Sequence, residues 1–305
     1  MHPPLGETFD KPQHLGNSLV NCMRIRRHIN SLIQRSNYQI VKTFDCQAAT
    51  PLPPDILLSD EILRQRIDPR RKHAWLIAAP KSGSTWLSAL LEKLLGWQKL
   101  WLYGGLSVPA QEPDVRLMLR FPNDHLFSPQ QHCRASEPTV EFIKRFRIKP
   151  IIQTRNIYDT IISLREHFVR EGFLFPMAYA DSEFLQYSEE KQFQIIIEMV
   201  LPWYFNFYAS WFRVEGLAPE NLLFVNYDDL LRDPRATLGK ILEYLEETRP
   251  PAEIEFAIEQ VKGMDTRKNK AVVGRGDCLL NERQKARIME MRQFYSRIDF
   301  SSIGL

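Results

Sequence analysis

An apolar strand, a hydroxyl-rich loop and an amphipathic helix follow one another directly, and this succession constrains the fold more than any other feature. The apolar run Ala74–Ala79 predicts a buried strand. After the loop come leucines at helical spacing and a glycine that ends the helix: Leu87, Leu90, Leu91, Leu94, Leu95 and Gly96. Such a loop directs backbone N–H groups and a helix start at an anion, and here Lys81 adds a positive charge. The segment therefore predicts a phosphate-binding site.

The order of residues in this loop distinguishes it from the common nucleoside-triphosphate loop. That loop reads G-x-x-x-x-G-K-[ST], with a hydroxyl after the lysine that ligates Mg²⁺. Here Lys81 comes first and one glycine follows. The sequence PKSGSTW instead resembles the 5′-phosphosulfate loop of the sulfotransferases, which move a sulfuryl group from 3′-phosphoadenosine 5′-phosphosulfate (PAPS) to an acceptor and release 3′,5′-adenosine bisphosphate (PAP). The resemblance implies a metal-free cofactor site that includes Lys81, Ser82, Gly83, Ser84, Thr85 and, stacked on the adenine, Trp86.

A second match lies between Ile151 and Phe168. A β-rich run ends at Arg155-Asn156, and a helix-compatible segment carries Ser163 eight residues after Arg155. This spacing resembles the 3′-phosphate motif of the sulfotransferases, in which both the arginine and the serine contact the 3′-phosphate of the cofactor. A guanidinium fork suits a phosphomonoester dianion, and a serine two turns into the helix can donate a further hydrogen bond.

Two segments nearer the C-terminus extend the resemblance. Phe224–Pro234 resembles the family's strand, Tyr-Glu-Asp turn and helix, which implies that Tyr227 lies near the adenine. The sequence GRGD resembles the family's Arg-Lys-Gly and Gly-Asp segment, although the lysine after the arginine and the Trp-Lys-Asn after Gly-Asp are missing. The candidates for the 3′-phosphate are therefore Gly274, Arg275 and Gly276, with Arg267 and Lys268 as rivals.

Sulfuryl transfer needs a base that takes the acceptor proton, and a neutral imidazole at the carboxyl end of a parallel strand suits that role. The family carries Lys-Thr-His on the strand that comes one helix before the Arg-Asn motif, and this chain has Gln130-Gln131-His132 there. His132 is therefore the candidate base, and Lys81 the candidate for compensating charge on the sulfuryl group and the leaving phosphate. The alternatives for the base are His125 and the carboxylate of Glu137, whereas His167 is expected to pack.

Candidate strands alternate with helical segments along the first half of the chain. They are expected at Ala74–Ala79, Leu100–Tyr103, Leu126–His132, Pro150–Thr154 and Leu222–Asn226. The alternation predicts an α/β fold: a single domain with a central parallel sheet of about five strands and helices on both faces. Ser136 is expected to cap a helix, and the second half of the chain is expected to be mainly helical.

Residues 1–70 lie outside the resemblance and are expected to form an N-terminal extension of a sulfotransferase domain at 71–305. The extension is rich in proline and contains the basic stretch Met23–His28. The pattern favours a helix packed on the domain, and a membrane-surface role is the alternative.

Composition restricts the function classes further. The chain has 305 residues, 44% of them hydrophobic and 25% charged, with a formal net charge of +3. These values are typical of a globular enzyme and do not indicate a nucleic-acid partner. The four cysteines have no metal-ligand spacing, and no segment is apolar enough to predict a transmembrane span. A cytoplasmic enzyme is therefore expected.

The acceptor is the part that the sequence defines least. Trp203–Phe212 concentrates aromatic side chains, which favours a small acceptor with an apolar or aromatic body if some of these rings border a cavity. A kinase-like phosphotransferase and a non-catalytic nucleotide-binding protein are the alternative functions. The acceptor's identity and the oligomeric state do not follow from the sequence.

Overall fold

The structure is a computed structural model that describes residues 67–103, 112–114, 117–118, 120–171, 178, 182–264 and 273–305. All of these residues belong to one compact unit. The N-terminal helix predicted around Met23–His28 lies outside the described residues, and so do Arg267 and Lys268.

Five parallel strands of the described chain form one sheet: β1 His73–Ala78, β2 Gln98–Lys99, β3 Leu126–Gln131, β4 Lys149–Thr154 and β5 Leu223–Asn226. Their spatial order is β2-β3-β1-β4-β5, so that β1 is central and pairs with β3 and β4. The predicted parallel α/β sheet is confirmed. Because the strands are parallel, their carboxyl ends meet at one edge, which is the edge where open α/β sheets bind ligands.

Helices follow the strands and dominate the second half of the chain. The α-helices of the described residues are α1 Ser84–Leu95, α2 Glu137–Phe146, α3 Ile157–Glu171, α4 Glu189–Ile195, α5 Leu201–Phe212, α6 Tyr227–Arg232, α7 Pro234–Tyr244, α8 Pro251–Lys262, α9 Arg275–Leu279 and α10 Glu282–Arg292. A π-helical turn, Ile196–Val200, joins α4 to α5. Short 3₁₀ segments lie at Ser182–Gln186, Pro219–Asn221, Gln293–Tyr295 and Ser301–Ile303. None of the helices in the described ranges is long and apolar enough to cross a membrane.

Local sequence signals set the helix ends. The predicted cap of α2 is confirmed, since the Ser136 side chain accepts a hydrogen bond from the backbone N–H of Thr139. Helix α1 ends where Gly96 adopts a left-handed conformation, as the glycine after the leucine pattern predicts. Asn281 and Gln284 form a reciprocal capping box at the start of α10.

Side chains of β1 alternate between two cores, one on each face of the sheet. Trp75 and Ile77 pack with residues of α2, α3, α5 and α10, whereas Ala74 and Leu76 pack with residues of α1, α7 and α8. The continuous apolar run of β1 is therefore explained by burial on both faces, which is typical of a central parallel strand.

The strand predicted at Leu100–Tyr103 is wrong. The strand in that region is Gln98–Lys99, and its pairing with β3 ends when the N–H of Leu100 donates to the Phe127 carbonyl. The Leu102 carbonyl instead accepts from the Asp114 backbone N–H. Leu100 and Leu102 are buried in the core. Their alternation imitates a strand because an irregular segment can also bury every second side chain.

Candidate functional site

The phosphate-binding loop leaves the carboxyl end of β1 through a tight turn. Lys81 has a φ of 63° and Gly83 a φ of 87°, both in the left-handed region. That region is uncommon for a lysine and costs about 1 to 3 kcal/mol. Ser82 is fully buried, and its hydroxyl donates to the Ala79 carbonyl over 2.7 Å. The Ser82 hydroxyl thus stabilises the loop itself, and a hydrogen bond from it to a cofactor stays a prediction.

Two aromatic residues predicted near the adenine meet beneath this loop. Trp86 and Tyr227 pack edge to face, with ring centroids 6.3 Å apart. A Cβ on Gly83 would overlap the Tyr227 ring, so the close approach requires glycine as well as the positive φ. Both rings are buried in the core beside α1. The structure thus brings Trp86 and Tyr227 together, while stacking on an adenine stays a prediction.

Arg155 connects this loop to the second motif. It follows β4 directly, and its Nη1 donates to the Lys81 carbonyl over 2.7 Å. Its guanidinium carbon lies 4.6 Å from the centre of the Tyr227 ring. Its Nε is buried and has no hydrogen-bond partner within the described part of the chain. Arg155 therefore braces the loop and still has donor capacity for an anion.

Helix α3 presents three polar side chains that share one face. Asn156 caps this helix, because its Oδ1 accepts hydrogen bonds from the backbone N–H groups of Tyr158 and Asp159. Asp159, Ser163 and Glu166 follow at spacings of four and three residues, which places them one above another along the helix. Asp159 and Ser163 are both buried.

The Gly274–Gly276 segment lies against this face of α3. The Asp159 carboxylate accepts hydrogen bonds from the backbone N–H of Gly274, over 2.8 Å, and of Gly276, over 2.7 Å. Both guanidinium Nη atoms of Arg275 bond the Glu166 carboxylate, which raises the pKa of Arg275. Ser163 and Glu166, the partner of Arg275, lie on neighbouring turns of α3. The structure therefore brings the predicted Ser163 and Arg275 to the same face of this helix, but the Arg275 guanidinium is engaged in an ion pair.

His132 stands directly after β3, at the same edge of the sheet as the loop. Its Nδ1 lies 2.7 Å from the carbonyl oxygen of Ala78, the last residue of β1. Because a carbonyl can only accept, Nδ1 carries the proton and Nε2 keeps the lone pair in the neutral ring. Burial lowers the pKa of His132 below its ordinary value, despite the opposing effect of the Ala78 hydrogen bond. His132 is thus a neutral imidazole with a basic nitrogen at physiological pH.

The structure separates His132 from its rivals. His125 precedes β3, at the amino edge of the sheet, where its Nδ1 accepts from the Lys72 backbone N–H over 3.0 Å. Seven residues of extended chain place it roughly 20 Å from His132. Glu137 lies at the correct edge but is exposed in the first turn of α2. His167 is buried on α3, with its Nδ1 3.4 Å from the Glu171 carboxylate, in line with the expected packing role.

The aromatic helix α5 supports the loops at this edge. The Tyr204 hydroxyl donates to the Pro80 carbonyl over 2.8 Å, and Trp211 Nε1 donates to the Cys133 carbonyl over 2.9 Å. The Ser210 hydroxyl accepts from the Ala135 backbone N–H. Most of the α5 rings are fully buried: Tyr204, Phe205, Phe207, Tyr208 and Trp211. These rings are core, and an acceptor cavity bordered by aromatic side chains stays a prediction.

Asp159 and Tyr204 are the residues that sequence reasoning missed. Asp159 stands at the same helical face as Ser163, four residues before it, and a carboxylate among isoleucines on α3 is the available signal. Tyr204 carried no separate signal, because nothing in the aromatic run distinguishes the ring whose hydroxyl reaches the loop.

Comparison with known proteins identifies the family of this chain. The family model described as a sulfotransferase domain matches residues 71–275. A flavonol 4′-sulfotransferase of Flaveria chlorifolia is 25% identical over 192 residues, which cover 60% of this chain and only 58% of that relative. Cytosolic sulfotransferase 12 of Arabidopsis thaliana is 23% identical over 251 residues, which cover 77% of this chain and 74% of that relative.

A solved structure shows the same fold. The crystal structure of mouse sulfotransferase SULT7A1 complexed with PAP superposes with a TM-score of 0.57 at 19% identity, covering 77% of this chain and 88% of that one. Because the family model matches more than half of the chain, the protein belongs to the sulfotransferase family.

Proposed function

We propose that this chain is an active sulfotransferase that moves the sulfuryl group of PAPS to a hydroxyl or amine of a small acceptor, in line, with His132 as general base. The observation that carries this proposal is the hydrogen bond from His132 to Ala78. It supports the proposal because the Ala78 carbonyl can only accept, so the ring proton lies on Nδ1 and Nε2 keeps its lone pair, beside the strand end from which the loop starts. A protein that only bound nucleotides would not require that arrangement.

The donor set at this edge fits an adenosine nucleotide with phosphates at both ends. Arg155 has a buried Nε with no partner in the described ranges, and it lies between the loop and α3. The left-handed residues Lys81 and Gly83 shape the loop ahead of α1, whose first N–H groups have no carbonyl partner earlier in the helix. We assign the 5′-phosphosulfate to Lys81, Ser82, Gly83, Ser84 and Thr85, the 3′-phosphate to Arg155, Ser163 and the Gly274–Gly276 segment with Arg275, and the adenine to Trp86 and Tyr227.

The bound PAPS supplies the sulfuryl group and a stable phosphate leaving group. His132 Nε2 takes the proton from the acceptor as the acceptor oxygen or nitrogen bonds to sulfur. The Lys81 ammonium compensates the negative charge that grows on the bridging oxygen as the bond from sulfur to that oxygen breaks. Arg155 keeps the Lys81 backbone in place through its hydrogen bond to the Lys81 carbonyl. No metal is needed for any of these roles.

The names of the relatives suggest the class of acceptor. The flavonol 4′-sulfotransferase is named for a phenolic substrate, which agrees with the apolar or aromatic acceptor that the run Trp203–Phe212 favours if some of its rings border a cavity. A cytoplasmic location is likewise a proposal, since one relative is named a cytosolic enzyme.

Calorimetry and a turnover screen test the proposal. The chain should bind PAP without metal, and labelled PAPS should be consumed with at least one acceptor from a panel of phenols, alcohols, sugars and amines. Binding of ATP only in the presence of Mg²⁺ would instead identify a kinase-like phosphotransferase. Binding of PAP without turnover on any acceptor would identify a non-catalytic nucleotide-binding protein.

A further inference from the structure

Asp159 is a buried carboxylate that the proposed chemistry does not use. It lies on the face of α3 that carries Ser163, and only 3% of its surface is exposed. Both of its carboxylate oxygens accept backbone hydrogen bonds from a segment more than a hundred residues later in the chain, at Gly274 and Gly276. A buried carboxylate costs several kcal/mol unless hydrogen bonds of this kind compensate it.

The same segment is pressed closely against α3 at a second point. A Cβ on Gly276 would overlap the Cβ and backbone of Tyr158, so only glycine permits this approach. Gly274 has a φ of 81°, which turns the chain just before α9. The backbone of Gly274 and Gly276 thus meets α3 at Asp159 and Tyr158, and the side chain of Arg275 reaches Glu166, about two turns further along the helix than Asp159.

This arrangement puts Ser163 between the two anchoring points. On one face of a helix, residues three and four apart are neighbours about 5 to 6 Å apart. Asp159 anchors the segment's backbone four residues before Ser163, and Glu166 meets its guanidinium three residues after Ser163. The position of the Arg275 backbone relative to Ser163 is therefore set by the Asp159 hydrogen bonds.

We infer that Asp159 is a positioning residue that holds the Gly274–Gly276 segment where Arg275 and Ser163 can both bind the 3′-phosphate. Asp159 thereby determines the selectivity for nucleotides that carry this phosphate. The inference rests on the proposed function. In this role the Asp159 carboxylate favours phosphate binding through its hydrogen bonds to the segment, although a negative group beside a phosphate would by itself weaken binding.

The substitution Asp159→Asn separates the two effects. It removes the charge and leaves one of the two N–H groups facing an NH₂ donor, so the segment loses an anchor while the side chain keeps its shape. Affinity for PAP should fall about tenfold, the scale of a buried donor left unsatisfied. Affinity for adenosine 5′-monophosphate, which lacks the 3′-phosphate, should stay within about twofold of the wild-type value.

The matched control is Asp277→Asn. Asp277 is exposed in α9, next to Gly276, and its substitution changes the net charge by the same amount. It should leave PAP affinity unchanged or raise it slightly. Gly276→Ala provides a second route if the Asp159 variant does not fold, because the added methyl group pushes the segment off Tyr158 while Asp159 stays intact. It should show the same selective loss of PAP affinity.

Calorimetric titration of wild type and variants with PAP and with adenosine 5′-monophosphate decides the question. If Asp159→Asn binds PAP as well as or better than wild type, or weakens both nucleotides equally, the inference is overturned. A wild-type chain that binds PAP no better than the monophosphate refutes the 3′-phosphate site in the proposed function itself, before any variant is compared.

Discussion

The phosphate-binding loop and the Gly274–Gly276 segment both belong to the proposed cofactor site, but they are held in different ways. Within the loop, Ser82 bonds back to its neighbour Ala79 through both its hydroxyl and its backbone N–H, and Arg155 and Tyr204 add bonds to the loop carbonyls from further along the chain. The Gly274–Gly276 segment depends on side chains of α3 that lie more than a hundred residues earlier in the chain. A contiguous motif can therefore be read from the sequence, whereas the distant segment gives only a loose match.

The two regions also differ in how their charged groups are engaged. Arg155, at the loop, is half-buried and keeps a buried Nε without a partner in the described residues. Arg275, at the distant segment, forms an ion pair with Glu166. At the loop, Arg155 thus has a donor available for an anion. At the Gly274–Gly276 segment, a phosphate must first displace the Glu166 carboxylate from Arg275. Substitutions at the loop should accordingly have the larger effects.

The largest effect is expected at His132, beside the loop. His132→Ala should bind PAP normally and lose roughly 10² to 10⁴ in turnover, the scale of general-base catalysis. Because a protonated imidazole cannot accept a proton, the wild-type rate should fall with acidification. Because the pKa of His132 is lowered, the wild-type rate should decrease only below a pH of about 6.5, and the His132→Ala variant should show no such decrease.

The control for His132 is His125→Ala, a histidine at the opposite edge of the sheet. It should keep wild-type turnover and the wild-type pH profile. A dead His125 variant beside an active His132 variant would show that the base has been assigned to the wrong end of β3.

A loss of about 10²-fold in turnover is expected for Lys81→Ala, with a smaller change in PAP affinity, because charge on the bridging oxygen grows mainly in the transition state. Alanine keeps a Cβ, so the strain of the left-handed position is the same in both proteins. Single-turnover rates and calorimetry separate the two effects. Near-normal turnover would remove Lys81 from the mechanism.

Arg155→Ala tests the guanidinium that braces the loop from the end of β4. PAP binding should weaken by about 2 to 4 kcal/mol, as when a charged hydrogen-bonding partner is removed. Adenosine 5′-monophosphate should weaken by only about 1 kcal/mol, because the Lys81 carbonyl loses a donor. Calorimetry with both nucleotides measures the difference. Equal losses would mean that Arg155 supports the loop and does not bind the 3′-phosphate.

The smallest effect, with the opposite sign, is expected at Glu166. Glu166→Gln removes the carboxylate that pairs with Arg275, so PAP should bind a few-fold more tightly, in keeping with the modest strength of a partly exposed ion pair. Affinity for adenosine 5′-monophosphate should not change. Weaker PAP binding in this variant would show that Glu166 helps to place Arg275 and does not compete for it.

The prediction from sequence succeeded where a pattern and its structural consequence lie close together in the chain. The loop after β1, the Ser136 cap of α2 and the glycine that ends α1 are all local, and each is confirmed. It failed at Leu100–Tyr103, where two buried leucines imitated a strand whose hydrogen bonds go elsewhere. Burial periodicity reports which side chains face the core and does not report which backbone groups pair.

Within the site, His125 and His132 are a further case in which the local sequence does not distinguish two candidates and the tertiary structure does. Both flank β3, and the sequence offers each as a base. Only the parallel pairing of β3 with β1 decides that His132 lies at the edge where the loop begins. The hydrogen bond to Ala78 then selects the protonated ring nitrogen, and burial lowers the pKa, so the chemical state of this residue is a property of the assembled sheet.

The family, the parallel α/β sheet and the loop after β1 could be predicted from the sequence, because these follow from contiguous residues, their hydrophobic periods and their hydrogen-bonding capacity; that this loop binds phosphate stays a prediction. The tertiary structure alone decided that Tyr204 braces Pro80, that Asp159 anchors Gly276 and that Arg275 meets Glu166. Those contacts join residues far apart in the chain, and their geometry exists only after the helices have packed against the sheet and closed the distances between them.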